Sequence, residues 1–73
     1  MATEYEVWLT ARHPQTLEVV GSIRVYHHAD RLTAERVLET ATDHYEPVAR
    51  MLRIVQPGAL VSSEMKHPQQ VVK

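Results

Sequence analysis

The sequence predicts an α+β fold: a β-β-α-β order with a short further strand, forming a small, mainly antiparallel sheet with one helix packed on one face. Three observations carry this. Two stretches alternate with period two across a Pro-containing turn, one stretch repeats its apolar residues every three or four positions, and a further β-branched run follows Pro47. With 73 residues the chain supports one modest core, so a deep catalytic cavity is not expected and function belongs to the outer surface.

Residues 4–11 alternate, with Tyr5, Val7, Leu9 and Ala11 on one side and Glu4, Glu6, Trp8 and Thr10 on the other. After the turn around Pro14, alternation resumes as Leu17, Val19, Gly21, Ile23 and Val25 against Glu18, Val20, Ser22, Arg24 and Tyr26. The two runs read as a hairpin that sets Leu9 against Val19, Trp8 against Val20 and Glu4 against Arg24, although a two-residue slip keeps the same faces. Gly21 marks either a bulge or a close helix approach. Thr33 then suits a helix N-cap, with Leu32 stapled to Val37 and a buried stripe of Ala34, Val37, Leu38, Ala41 and Tyr45.

Pro47 is expected to end that helix, and Val48–Val55 to form a third strand with Val48, Leu52 and Ile54 inward and Met51, Arg53 and Val55 outward. Gln56-Pro57-Gly58-Ala59 suits a turn with Gly58 at positive φ, and Leu60-Val61-Ser62 a short edge strand. The domain is expected to span residues 1–63, with 64–73 as a mobile C-terminal tail. A right-handed crossover gives the sheet order 2-1-3.

One helix covers one face, which leaves the other open. The residues expected there, and read as partner-binding, are Trp8, Arg24, Tyr26, Met51 and Arg53, side-chain types that bury large area or donate several hydrogen bonds at interfaces. The competing structural reading makes the same face ordinary core, covered by a second copy or by the returning tail with Val71 and Val72. Glu35, Glu39 and Asp43 form a solvated acidic stripe on the helix, or an acidic docking ridge.

Other chemistries find little support. The chain has 8 Lys+Arg, 9 Asp+Glu and a formal charge of −1, so it offers no excess for phosphate backbones or anionic lipids, and nucleic acid is a second choice. No Cys is present, which removes disulfides, thiolate metal sites and cysteine nucleophiles. His27 and His28 are adjacent, so strand geometry aims them at opposite faces, and no metal ligand set is assigned. Ser22, Ser62 and Ser63 lie in no nucleophile elbow, and no Gly-rich loop exists to cradle phosphate. No catalytic residue and no cofactor is assigned. The acidic N-terminus and the absence of a long apolar run make a cytoplasmic location without membrane partners the expectation.

The runs Tyr5-Glu6-Val7-Trp8-Leu9, Ile23-Arg24-Val25-Tyr26, Thr33-Ala34-Glu35-Arg36-Val37-Leu38 and Arg50-Met51-Leu52-Arg53-Ile54-Val55-Gln56-Pro57 together resemble the short β-β-α-β accessory proteins of bacteriophages. The likeness covers residues 4–57 and lies in hydrophobic pattern, so no functional residue is carried over from it. It implies a non-enzymatic regulator or inhibitor that docks on a larger host protein such as RNA polymerase or a CRISPR effector complex. The alternatives are a nucleic-acid-binding domain using the open sheet face, or a homodimeric structural protein.

Overall fold

A computed structural model describes residues 4–67. Its elements are β1 (Tyr5–Arg12), β2 (Val19–His28), α1 (Arg31–His44), α2 (Glu46–Val55) and β3 (Leu60–Lys66). The fold is α+β, with a three-stranded sheet ordered β2-β1-β3 and antiparallel at both contacts. β1 is therefore central, and the α1–α2 pair carries the chain from one edge of the sheet to the other.

The alternation in β1 is realised directly. Val7, Leu9 and Ala11 are fully buried beneath the helices and form the core with Ala34, Ala41, Ala49, Leu52 and Ala59. β2 pairs with β1 in a different register from the expected one, Leu9 facing Ile23 and Trp8 facing Arg24, and Val25 and Val20 are extra residues accommodated as bulges. Gly21 opposes Ala11 on the core side, where Leu52 of α2 comes so near that a Cβ would lie 3.2 Å from its Cδ2. The close helix approach is what this glycine serves, with the Val20 bulge beside it.

α1 starts earlier than expected. Its cap is Asp30, whose carboxylate accepts from the Thr33 backbone N–H at 3.0 Å and the Thr33 hydroxyl at 2.7 Å. Thr33 is thus the partner of the cap and lies inside the helix. The two bonds hold the Asp30 carboxyl below its ordinary value of 3.8.

The expected strand at Val48–Val55 is helix α2. Pro47 opens this helix instead of ending the previous one: in the first turn its missing N–H has no partner to lose. Glu46 in the first turn and Arg53 in the last suit the helix dipole, and Ala49 and Leu52, three apart, are the buried pair. The first strand is central as expected, but the strand on its second flank is Leu60–Lys66, expected as a short additional edge strand, and not Val48–Val55. That strand has seven residues where three were expected, so Glu64, Met65 and Lys66 belong to the sheet and not to a tail. Residues 68–73, the rest of the expected tail, lie outside the described residues. The turn before β3 is as expected, with Gly58 at φ 81° and the Ala59 N–H donating to the Gln56 carbonyl at 3.1 Å.

Candidate functional site

The sheet face away from the helices presents four rows of side chains, each centred on β1. His27, Glu6 and Lys66 form the first, Arg24, Trp8 and Glu64 the second, Ser22, Thr10 and Ser62 the third, and Val19, Arg12 and Leu60 the fourth. Trp8 and Arg24 are where the sequence placed them, and they are direct cross-strand neighbours.

The charges on this face are spent on one another. The indole N–H of Trp8 donates to Glu6 Oε1 at 2.9 Å, and Arg24 donates to Glu6 Oε2 at 2.9 Å. These two donors, the indole first, hold the Glu6 carboxyl below its ordinary value of 4.5. Lys66 places its ammonium 4.2 Å from the centre of the half-buried Trp8 ring, a cation–π contact. Arg12 reaches across to Glu64 at 3.0 Å, and His27 shares a 2.6 Å hydrogen bond with Glu4. The Arg12–Glu64 arm spans from the fourth row to the second, and Thr10 between them is only 2% exposed, its hydroxyl 3.3 Å from that of Ser22. A phosphate chain laid here would meet Glu4, Glu6 and Glu64 and would have to displace Glu6 from Arg24 and Glu64 from Arg12, so among the described residues the face offers no run of uncommitted guanidinium groups.

Tyr26 is not on this face. The Val25 bulge shifts the alternation of β2, so Tyr26 opposes the buried Val7, packs against the core and stacks on His28 with ring centres 6.2 Å apart. Met51 and Arg53 are not on it either, since both belong to α2. Glu18, grouped with Glu4 and Glu6 by the sequence pattern, sits in the β1–β2 loop.

α2 supplies the surface that the strand reading concealed. Ala49 and Leu52 anchor the helix, while Met51, Ile54 and Val55 are 47%, 71% and 72% exposed. Their i, i+3, i+4 spacing makes them neighbours on one ridge. Arg50 beside the ridge is paired with Glu46 at 2.7 Å, and among the described residues Arg53 forms no ion pair. The missed signal was the three-residue spacing of Ala49 and Leu52 after an acidic-Pro start, which marks a helix opening as well as a helix end.

On the covered side, Tyr5, Arg31, Met65 and His67 line an open cleft of about 340 Å³, where the Tyr5 and His67 rings lie 4.5 Å apart. The Arg31 guanidinium there is committed to Glu35 at 2.9 Å. Among the described residues no three His, Asp or Glu side chains gather closely enough to hold a metal ion, and no helix is long and apolar enough to cross a membrane. No protein-family model, curated protein or solved structure matches the chain.

Proposed function

We propose that the chain is a non-enzymatic protein-binding module that docks through the apolar ridge of α2. One observation carries the reading: Met51, Ile54 and Val55 stand in solvent on consecutive turns of a helix that is already anchored on its other side by the buried Ala49 and Leu52, with Val48 packed beside them. Leaving three large apolar side chains in water on so small a chain forgoes burial that a partner's surface supplies. The sheet face is weaker ground, because Trp8 and Arg24 already have partners there. The partner is an apolar groove with acidic residues at the Arg53 side, on a larger protein.

The test uses wild-type and Ile54→Asp baits in lysate of the source cell, read by mass spectrometry, with each captured protein then purified and titrated against both. Ile54 is so exposed that the substitution loses little packing, and the acid in the last turn of the helix costs up to about 1 kcal/mol, which leaves the domain folded. A protein that binds wild type directly and loses about tenfold or more in affinity with Ile54→Asp supports the reading. Equal binding of every captured protein to both baits overturns it. So does capture of nucleic acid alone with steep salt dependence, which returns the sheet face to consideration.

A further inference from the structure

The two edges of the sheet are not equivalent. β2 is bulged at both Val20 and Val25, which breaks the even spacing of its outward backbone groups. β3 pairs with β1 in unbroken register from Leu60 to Lys66, and among the described residues no backbone group of β3 bonds to anything beyond that ladder. A straight strand with a free row of N–H and C=O groups is a template for one more strand.

The residues of β3 select what that strand is. A twofold axis that makes neighbouring copies of one strand antiparallel stands perpendicular to the sheet, so the helices of both copies lie on the same side. Each choice of axis then fixes the facing pairs. An axis at Ser63 brings Glu64 diagonal to its own copy, and an axis at Glu64 sets the two carboxylates face to face. An axis at Met65 sets Glu64 against Lys66 of the second copy, twice by symmetry, with Ser63 opposite His67 and Met65 opposite itself on the core side. Opposite charges facing across antiparallel strands stabilise the pair, and like charges oppose it. The charge pattern therefore admits the Met65 register and disfavours its neighbours.

We infer that β3 pairs with β3 of a second copy about a twofold at Met65, joining two sheets into one of six strands in the order β2-β1-β3-β3-β1-β2. Glu64 keeps its Arg12 contact within the chain, since a carboxylate accepts from more than one donor, and the Lys66 ammonium turns from the Trp8 ring to the second copy's carboxylate, exchanging a cation–π contact for an ion pair. α2 takes no part, so the ridge that carries the proposed function remains free in the dimer.

The experiment is analytical ultracentrifugation across a concentration series, with circular dichroism confirming that each variant is folded. Wild type shows a concentration-dependent dimer. Lys66→Glu and Glu64→Lys each place two like-charge pairs in the interface and raise the dissociation constant at least about tenfold. The double exchange Glu64→Lys with Lys66→Glu restores opposite pairs and recovers the dimer, while Glu39→Lys on the outer face of α1 and Ile54→Asp leave it unchanged. Because the chain has no cysteine, Met65→Cys reports the register directly: facing residues of an antiparallel pair lie within disulfide reach, so mild oxidation links this variant and not Met51→Cys. A wild-type chain that stays monomeric up to its solubility limit overturns the inference. A dimer that survives both single charge reversals overturns it as well, as does one in which Met65→Cys does not cross-link.

Discussion

Leu52 is the side chain through which α2 is fastened to the sheet, and truncating it tests that arrangement. It is 6% exposed, and its Cδ2 occupies the space above Gly21 that any other residue would fill with a Cβ. Leu52→Ala removes this contact and opens a void between helix and sheet. Buried Leu→Ala truncations cost about 2.7–5 kcal/mol, and a helix fixed by few anchors relaxes into part of the void, so about 2.5–3.5 kcal/mol is expected here. For a domain of this size that lowers Tm by on the order of 10–25 °C.

The second half of the test is Gly21→Ala. In the wild type the new methyl meets Cδ2 at 3.2 Å, inside the roughly 3.5–4.0 Å preferred by carbon pairs, so Leu52 must shift. In the Leu52→Ala background the same methyl enters the void. The double-mutant cycle should therefore show a favourable coupling of about 1 kcal/mol between the two substitutions. Urea unfolding followed by Trp8 fluorescence and by circular dichroism measures all four corners of the cycle, with coincident transitions and a constant slope as the two-state check. A Leu52→Ala cost below about 1 kcal/mol, or additive substitutions, refutes the view that Leu52 seats α2 over Gly21.

Three further predictions address the sheet face, the α1 cap and the hairpin. Glu6 and Asp30 have lowered folded-state pKa values, so their stabilisation is complete above their ordinary values of 4.5 and 3.8 and is lost as pH falls through the lower folded ones. Tm should therefore drop on the acid side of that window, and Glu6→Gln should flatten the drop. Trp8→Phe removes the strongest cause at Glu6 and should raise its pKa toward 4.5 in a carboxyl-detected NMR titration. At the hairpin, Leu17 is exposed with φ of 64°, a left-handed conformation costly for a branched side chain. Leu17→Gly should raise stability by about 0.5–1 kcal/mol in the same urea assay.

Much of this architecture was legible where pattern and burial agree. β1 is read residue by residue, since its alternating residues lie either under the helices or against the open face, and Trp8 lands on the uncovered side for that reason. Gly21 and Gly58 were legible because a missing Cβ and a positive φ are each needed at one place.

The failures have equally local causes. Val48–Val55 is a short apolar run whose composition suits a strand, and periodicity alone does not separate it from a helix with two buried positions. Bulges leave no trace in period-two counting, so Tyr26 was assigned to the wrong face by the single extra residue Val25. β3 looked too polar to continue past Ser62. Its inward Ser63 is accommodated by donating its hydroxyl to the Leu38 carbonyl at 2.9 Å, a bond only the fold reveals. The candidate site followed the same division: Trp8 and Arg24 were placed by alternation, whereas the α2 ridge stayed hidden until the run was known to be helical.

The order of strands in the sheet also sets a schedule for assembly. Of the three strands the middle one leaves the ribosome before the other two, and one of its flanks stays bare while both helices are made. Its ion pair from Arg12 to Glu64 joins residues 52 apart in sequence. The hairpin closes early and locally, but the last flank forms only after the two-helix connection from β2 to β3 has been drawn shut, a slow step in entropic terms. A nascent chain halted after α2 would carry a half-flanked sheet with its backbone open to whatever strand arrives first, so vectorial synthesis exposes this protein to mispairing at its centre.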